Sequence, residues 1–310
     1  MIAKKPVDKY FHLYLIVGVI GGFLFPRFFN QFEGYVANIL MLIIGLLFLK
    51  VDFVDVITHI RNLPFVLYSA LITLIVSPIL TFFVFKWFVP QELLIALVLL
   101  AALPAGITGA VITDIMNGKT PLSLSIVIVT NLFCVCTIPF IFLVLFKTSI
   151  DLNYTNLAID LAKMIFIPVI FAKVLKRYLL KDVIIGKIQR YGNWVIMGLV
   201  SMLLMITIAF QSENILTNIK TDWVWPLQTL GILFIAFFMF QILGYFSVFW
   251  REKRRGKFAV SNSVMIMNNF LGVLLAIAFF PAGVGTIVIM SFIPWTVMIM
   301  AKHWYKRYLP

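Results

Sequence analysis

Long apolar runs with almost no charge dominate this chain and fix the kind of fold that it can adopt. A membrane-spanning helix needs about 20 mostly apolar residues. Only 12% of the residues are charged and 63% are hydrophobic, whereas a soluble domain carries about 25% charged residues. The sequence therefore predicts an all-α integral membrane protein with ten transmembrane helices, at residues 12–29, 35–49, 64–88, 93–117, 121–146, 157–174, 193–210, 225–250, 258–280 and 284–304.

The basic residues are distributed unevenly over the predicted loops. With ten spans, one side of the membrane and its flanking residues hold all of the 25 Lys and Arg residues except Arg27, Lys86, Lys147, Lys163 and Lys220. Cytoplasmic loops are enriched in Lys and Arg, so both termini are predicted to be cytoplasmic in a multi-pass protein of the cell (inner) membrane. Topology and contact with lipid headgroups explain the net charge of +13, and no nucleic-acid partner is predicted.

The ten predicted spans divide into two halves of five, residues 11–147 and 157–304, within a single transmembrane unit of residues 1–310. Each half ends with a span that carries Ile-Pro-aromatic, at 138–140 and at 293–295, and the span before it is rich in Gly and polar residues. An odd number of spans per half gives the halves opposite orientations, which is the inverted-repeat plan of many secondary transporters. A chance likeness between short apolar segments is the alternative.

Polar residues inside the predicted spans concentrate in spans 4 and 9, at corresponding positions of the two halves. Pro and Gly in span 4 can interrupt the helix, and the ends of broken transmembrane helices point their partial charges at ions or anions. Span 9 carries two adjacent asparagines, and each amide offers donors and an acceptor. The predicted substrate and ion site consists of Thr73, Thr108, Gly109, Thr113, Asp114, Ser123, Asn131, Ser263, Asn268 and Asn269.

Several of these residues also have a purely structural explanation, which stays open at this point. Gly109 can be a close-packing residue between helices, and Thr108 and Thr113 can bond back to their own helix. Asp114 can form a salt bridge with Lys119 near the cytoplasmic interface, or it can bind a proton or a cation. The adjacent asparagines of span 9 are the hardest to explain by packing alone, because polar groups inside a span are costly.

No constellation of catalytic residues is visible in the sequence. The His residues, His12, His59 and His303, all lie at span ends, and the cysteines Cys134 and Cys136 share one apolar run. No phosphate-binding loop of the Gly-x-x-x-x-Gly-Lys-Ser/Thr type occurs. The protein is therefore predicted not to be an enzyme and to need no cofactor, except Na⁺ or H⁺ if transport is coupled to an ion.

The sequence resembles the bile acid:sodium symporter family over nearly the whole chain. The most specific segments are Leu-Phe-Leu-Lys-Val-Asp-Phe at 47–53, the stretch from Leu-Pro-Ala-Gly at 103–106 through Asn-Gly-Lys at 117–119 to Leu-Ser at 122–123, and Asn268-Asn269 followed by Leu-Gly at 271–272. The resemblance implies two five-helix inverted repeats with broken, crossing helices 4 and 9. It also implies a panel domain and a core domain that move against each other in alternating access.

The sodium ligands that the resemblance implies are only partly present. A Ser-Asn pair of the family falls on Gly109 and Ala110, and an acid that serves both sodium sites falls on Val264. Without that acid, the sodium site that this chain retains is predicted at Thr73, Asn268 and backbone carbonyls. The alternative coupling group is Asp114, which stands where the family has a neutral residue.

A more distant resemblance is to the arsenite-efflux branch, through Asn-Asn-Phe at 268–270 and Ile-Pro at 293–294. That branch needs a thiol after the span 4 proline, but Ala105 follows Pro104 here. It also carries an acid in span 9 where this chain has Leu271. Arsenite transport is therefore not predicted.

The function predicted from the sequence is secondary transport of a small organic anion or a similar solute by alternating access, coupled to sodium or to protons. One alternative is an uncoupled facilitator or exporter, which the missing sodium ligands suggest. Another is a membrane enzyme or a scaffold that does not transport. The predicted partners are a small-molecule substrate and membrane lipids, while the substrate, the direction of transport and the oligomeric state stay open.

Overall fold

Helices account for nearly all of the residues that the structure describes. The structure is a computed structural model, and it describes residues 6–50, 63–147, 153–179, 182–221 and 223–305. No β-strand occurs within these ranges. The helices are α1 (Pro6–Leu24), α2 (Pro26–Asn30), α3 (Val36–Lys50), α4 (Leu63–Leu71), α5 (Ser77–Phe85), α6 (Gln91–Ala102), α7 (Ile107–Ile115), α8 (Thr120–Phe146), α9 (Tyr154–Val174), α10 (Asp182–Thr221), α11 (Val224–Phe246), α12 (Arg254–Met265), α13 (Asn269–Phe279), α14 (Ala282–Met290) and α15 (Phe292–Tyr305).

Five helical segments in the described part of the chain are long and apolar enough to cross a membrane. The segments that satisfy both criteria in the described part of the chain are Leu63–Phe85, Thr120–Phe146, Trp194–Glu213, Val224–Phe246 and Gly283–Lys302. Shorter apolar helices include Gln91–Ala102 and Asn269–Phe279, which are halves of the predicted spans 4 and 9. The chain is therefore a multi-pass membrane protein, as predicted, while the count of ten spans stays a prediction.

The outward faces of the helices are apolar, as lipid contact requires. On α9, the side chains of Ile167, Ile170 and Phe171 are exposed, and near the end of α5 Trp87 and Phe88 are more than three-quarters exposed. Monomeric soluble proteins rarely expose contiguous apolar surface of this kind. Aromatic residues near span ends also suit the interface between lipid and water.

The chain divides into two compact units, and each unit combines a segment from either half of the sequence. One unit is Met1–Phe53 with Leu161–Thr217, and the other is Val54–Asp160 with Asn218–Pro310. The proposed repeats at 11–147 and 157–304 run across this division and stay a prediction.

In the first unit, α1 packs closely on α10 through glycines. A Cβ atom added to Gly18 or Gly22 would lie within 3.0 Å of Leu204 or Ile208. The hydroxyl of Ser201 also donates a hydrogen bond to a backbone carbonyl of α1 at 2.9 Å. Small residues at such contacts allow the backbones of two membrane helices to approach each other.

The second unit contains both of the broken helices, α6–α7 and α12–α13. Helices α11 and α12 pack closely, since a Cβ atom on Gly244 would lie 2.7 Å from the Cα atom of Ser261. A π-helical turn, Ile72–Val76, joins α4 to α5. This turn packs against α8 and α12.

Some features used in the sequence analysis lie outside the described residues. These are residues 51–53 of the first matching segment, His59 in the following loop, and the chain ends at 1–5 and 306–310.

Candidate functional site

The two helix breaks of the second unit pair with each other. The N–H of Gly106 donates to the carbonyl of Ile266 at 2.7 Å, and the N–H of Asn268 donates to the carbonyl of Pro104 at 2.8 Å. A broken helix frees backbone groups that lipid cannot satisfy, and here each break supplies partners for the other. The breaks that the sequence predicted in spans 4 and 9 are therefore present, and they lie side by side.

The paired segments form an isolated antiparallel bridge between Ala105 and Met267. The first break begins at Leu103, which is extended (φ −63°, ψ 146°). The proline that follows disfavours the helical conformation there and lacks an N–H of its own. Gly106 lies so close to the bridge that a Cβ atom would be 2.9 Å from the carbonyl oxygen of Met267. Pro104 and Gly106 thus explain the break and the close approach of the two segments.

Helix α8 supports the first break from the side. The Nδ2 atom of Asn131 donates to the carbonyls of Ala105 at 3.0 Å and Val127 at 2.8 Å. The N–H of Ala105 donates to the hydroxyl oxygen of Thr130 at 3.1 Å. Asn131, a predicted site residue, therefore contacts the break itself and holds its backbone in place.

The adjacent asparagines of span 9 occupy different environments. Asn268 caps α13, since its side-chain oxygen accepts from the N–H of Leu271 at 3.3 Å. Asn269 is 2% exposed, and neither its Nδ2 nor its Oδ1 atom has a hydrogen-bond partner among the described residues. A buried amide without partners costs about 1–3 kcal/mol. Asn269 thus has hydrogen-bonding capacity that no described residue uses.

The N-terminal ends of two half-helices add positive potential near the breaks. Helix α7 begins immediately after Gly106, and α13 begins at Asn269. The first N–H groups of a helix lack partners within it and carry a partial positive charge. Thr108, half-buried in the first turn of α7, adds a hydroxyl. This arrangement suits an anionic or hydrogen-bond-accepting group.

A second buried polar group lies between α7, α8 and α12, and we call it the Asn262 cluster. Its members are Thr113, Ser123, Asn262 and Ser263, and all four side chains are fully buried. The Nδ2 atom of Asn262 lies 2.9 Å from the Thr113 oxygen, and the Ser123 oxygen lies 3.5 Å from that of Thr113 and 3.2 Å from that of Ser263. Three predicted site residues therefore meet here, together with Asn262, which was not predicted.

Three other predicted residues contact neither group through a side-chain hydrogen bond. The hydroxyl of Thr73 donates to the carbonyl of Ser69 in its own helix at 2.9 Å. Asp114 is exposed and accepts a hydrogen bond from the hydroxyl of Thr120 at 3.0 Å. Gly109 is a close-packing residue, since its added Cβ atom would lie 3.3 Å from the carbonyl oxygen of Asn262.

The salt bridge considered between Asp114 and Lys119 is absent, although both residues are described. Lys119 instead forms an ion pair with Glu252, which precedes α12. The backbone N–H of Lys119 also donates to the carbonyl of Arg255 at 3.0 Å. Contacts with the start of α12 therefore draw the lysine away from the carboxylate of its own loop.

Sequence reasoning missed a buried lysine. Lys302 was assigned to the cytoplasmic side by the charge pattern, but its side chain is 0% exposed. Its ammonium donates to the hydroxyl oxygen of Ser261 at 2.8 Å, and that hydroxyl donates to the carbonyl of Gln241 at 2.9 Å. The signal was its position inside the last predicted span, 284–304, because a charge inside a span is a functional candidate by default.

An apolar residue stands where the family resemblance implies an acid. Val264, at the position of the acid that the family resemblance implies, is 3% exposed and apolar. No group of three or more His, Cys, Asp or Glu side chains that could hold a metal ion exists in the described ranges. A cation bound beside Val264 would therefore rely on neutral oxygen ligands.

Comparison with known proteins identifies a family and a relative. The sequence profile described as "Sodium Bile acid symporter family" matches residues 37–218, which is more than half of the chain. A Bacillus subtilis (strain 168) protein described as "Uncharacterized sodium-dependent transporter YocS" is 23% identical over 177 residues, covering 56% of this chain and 54% of that protein. The match thus spans about half the length of this relative.

Proposed function

Since the chain belongs to the Sodium Bile acid symporter family, we propose that it is a secondary transporter of a small organic anion that works by alternating access. The family is named for symport, and the relative from Bacillus subtilis is described as a sodium-dependent transporter. Both descriptions support transport as the class of function. The solute and the coupling ion of this chain are proposed below.

The observation that carries the proposal is the pair of bridged helix breaks with a buried, unpartnered amide beside them. Asn269 keeps both of its polar side-chain atoms without partners at the start of α13. Buried polar groups are normally satisfied by protein or by water. A solute that accepts from the Nδ2 atom of Asn269 and from N–H groups at the starts of the half-helices provides a partner for these donors, and an anion gains most from them.

The remaining predicted residues have graded roles in this proposal. Asn269 and Thr108 are the proposed solute contacts, Asn131 holds the first break in place, and Gly109 allows α7 to pack against α12. Alternating access is proposed to use two inverted five-helix repeats, with both termini in the cytoplasm of a cell whose inner membrane contains the protein. Spans 4 and 9 are the proposed crossing pair.

Sodium is the proposed coupling ion, with Thr73 and Asn268 as the predicted ligands. The name of the relative supports sodium. Asp114 is the alternative coupling group, and its carboxylate would couple transport to protons. This carboxylate is exposed and accepts a hydrogen bond from Thr120.

Uptake by reconstituted protein tests the proposal. Purified protein in liposomes is offered a panel of radiolabelled small carboxylates and a conjugated bile acid, under an inward sodium gradient and under a proton gradient. We expect uptake of at least one anion above that of protein-free liposomes. Asn268→Ala and Asn269→Ala should lower this uptake at least tenfold.

A matched control separates loss of the site from loss of folding. Gln228 is an exposed amide on α11, and Gln228→Ala should transport normally. Normal uptake by Asn269→Ala with an unchanged melting temperature would remove Asn269 from the site. If the folded wild-type protein neither takes up nor tightly binds any of these solutes, the scaffold alternative is favoured.

An uncoupled facilitator or exporter is the second candidate function. The specific observation in its favour is Val264, which is buried and apolar where the family resemblance implies the acid shared by two sodium sites. This candidate predicts that the anion equilibrates across the liposome membrane at the same rate with or without a sodium or proton gradient. Accumulation above the outside concentration, driven by either gradient, excludes it.

A further inference from the structure

Lys302 lies where three helices of the second unit meet. Its ammonium on α15 donates to the hydroxyl oxygen of Ser261 on α12 at 2.8 Å, and Ser261 donates to the carbonyl of Gln241 on α11 at 2.9 Å. The side chains of Lys302 and Ser261 are both 0% exposed. A chain of hydrogen bonds therefore joins α15, α12 and α11, and it begins at a group that can gain or lose a proton.

The hydrogen bond to Ser261 suits both forms of the lysine. Because the Ser261 proton points at the carbonyl of Gln241, the Ser261 oxygen is the acceptor in its contact with Lys302. An ammonium has three N–H donors and no acceptor, whereas a neutral amine has two donors. Ser261 is the acceptor that the described residues provide for these donors. Loss of one proton therefore keeps the hydrogen bond and leaves fewer buried donors without a partner.

No carboxylate pairs with Lys302 in the described part of the chain. Its helix packs mainly on α11 and α14, and α14 contains no titratable residue. A buried charge without a counter-ion is costly, and proteins commonly avoid it by a change of protonation. The other titratable residues of α11, α12 and α15 are Tyr245, Arg254, Arg255, Lys257, His303 and Tyr305, and none of them carries a negative charge at neutral pH.

Tyr245 and Lys257 lie one helical turn from the chain of hydrogen bonds. Tyr245 follows Gln241 by four residues on α11, and Lys257 precedes Ser261 by four on α12, so each pair shares a helix face. The Nζ atom of Lys257 lies 5.3 Å from the centre of the Tyr245 ring, and Lys257 is half-buried. This turn lies toward the end of α11 and the start of α12, on the predicted cytoplasmic side. A proton that leaves Lys302 therefore has a short polar route toward that side.

We infer that Lys302 is a proton-binding site of the transporter, held by Ser261 where α11, α12 and α15 meet. In the release step, an N–H bond of the ammonium breaks, its electron pair stays on Nζ, and the proton passes to water. The inference rests on the proposed transport function for its role, in which Lys302 binds the proton in one state of alternating access and releases it in the other. It adds a proton to the proposed sodium coupling and does not use Asp114.

The first test observes the proton on Lys302 and needs no transported solute. The full-length protein in detergent is labelled with lysine that carries ¹³C at Cε, whose NMR signal shifts when Nζ loses its proton. Lysines exposed to water keep their protons up to about pH 10. We expect one signal that shifts as the pH passes through the neutral range and that is absent from Lys302→Met. A folded wild-type protein without such a signal, or a signal that persists in Lys302→Met, would overturn the inference.

His303 is the neighbour that the test must separate from Lys302, because histidine ordinarily titrates near neutral pH. His303→Gln should leave the titrating lysine signal in place. Loss of the shift in His303→Gln would show that the signal reports the histidine, and this would contradict the inference. Lys253→Met is the matched control, because Lys253 is an exposed lysine immediately before α12. It should remove a signal that does not shift in the neutral range.

A second variant keeps the test decisive if Lys302→Met fails to fold. Ser261→Ala keeps the lysine and removes its acceptor, and the charged form loses more from this change than the neutral form does. The titrating signal should therefore shift at a lower pH than in the wild type. A titration of Ser261→Ala that coincides with that of the wild type would place the titrating lysine elsewhere in the protein.

Transport measurements test the role of the proton. In liposomes that contain a pH-sensitive dye, uptake of an anion by the wild type should be accompanied by a change of internal pH. Lys302→Met holds the site neutral, and Lys302→Arg holds it charged, because arginine is not deprotonated in proteins. Both variants should lose the pH change that accompanies uptake, whereas Lys253→Met should keep it.

The outcomes separate this inference from the proposed function. If the pH change that accompanies uptake survives in Lys302→Met, the inference is overturned and the proposed function stands. If the wild type transports no anion, the proposed function fails. A titrating lysine signal that is lost in Lys302→Met would still identify Lys302 as the proton-binding site.

Discussion

At the scale of single residues, the buried side chain of Lys302 carries a large desolvation cost. Its ammonium is fully buried with the Ser261 hydroxyl as its hydrogen-bond acceptor. A buried ion costs several kcal/mol unless it is compensated. We expect Lys302→Met, which keeps the length of the side chain, to raise the free energy of unfolding by about 1–3 kcal/mol.

The same variant should lower transport, if the charge was retained for function at the expense of stability. Uptake and melting temperature of Lys302→Met, measured on one preparation, give the two readings together. A matched change at an exposed lysine, Lys253→Met, should alter neither quantity. A Lys302→Met protein that melts earlier than the wild type would show that the ammonium stabilises the fold.

Asn117 is a residue whose type is dictated by the backbone. It is the second residue after α7, and its φ of 56° lies in the left-handed region that Gly and Asn tolerate best. We expect Asn117→Gly to leave stability almost unchanged and Asn117→Val to lower it by about 1–2 kcal/mol. Thermal melting of the two variants side by side checks this, and equal melting temperatures would contradict it.

At the scale of elements, the bridge between the two helix breaks depends on the absence of a side chain at Gly106. A Cβ atom there would lie 2.9 Å from the oxygen and 3.1 Å from the carbonyl carbon of Met267. Since these are backbone atoms, no side chain can move to relieve the contact. We expect Gly106→Ala to lower stability by about 1–3 kcal/mol and to lower anion uptake as the breaks separate.

Gly231→Ala is the control for that variant. Gly231 lies within α11, and an added Cβ atom meets nothing within 4 Å. The substitution should therefore raise stability by up to about 1 kcal/mol. Similar losses of stability in Gly106→Ala and Gly231→Ala would mean that the contact with Met267 does not explain the need for glycine at position 106.

The sequence predicted the elements better than it predicted their contacts. Apolar runs located most of the helices to within a few residues, and Pro104 marked the first break. The exception is α10, which extends eleven residues beyond the predicted span 193–210 at either end. Asn262 and Lys302 were missed because the property that singles them out is a missing or unusual partner, and partners come from helices far away in the chain. Asn262 meets Thr113, and Lys302 meets Ser261, only after the helices have packed.

The salt bridge considered between Asp114 and Lys119 fails for the same reason, because contacts depend on how distant elements pack. Asp114 and Lys119 are close in sequence and opposite in charge, which suggested a salt bridge. The fold instead brings Glu252 to Lys119 and leaves Asp114 exposed beside Thr120. Sequence distance predicts contacts within one helix but not across a loop that packs against another element.

At the scale of the whole molecule, the division into two units bears on the proposed repeats. Each unit takes one segment from either half of the chain, so neither proposed repeat coincides with a compact unit. The inverted-repeat plan places equivalent loops of the two halves on opposite sides of the membrane. That plan can be tested by asking which side each loop faces.

Gly34 and Gly186 are equivalent positions for such a test, since each follows the first predicted span of its half. Neither has an atom within 4 Å of an added Cβ atom, so cysteine is tolerated at both. In a background with Cys134→Ala and Cys136→Ala, a membrane-impermeant maleimide should label Gly34→Cys in intact cells. It should label Gly186→Cys only after the membrane is permeabilised, because the segment between predicted spans 6 and 7, which includes the start of α10, is predicted to be cytoplasmic. Labelling of both in intact cells would exclude the inverted plan, because one side of the membrane would then hold equivalent loops of both halves.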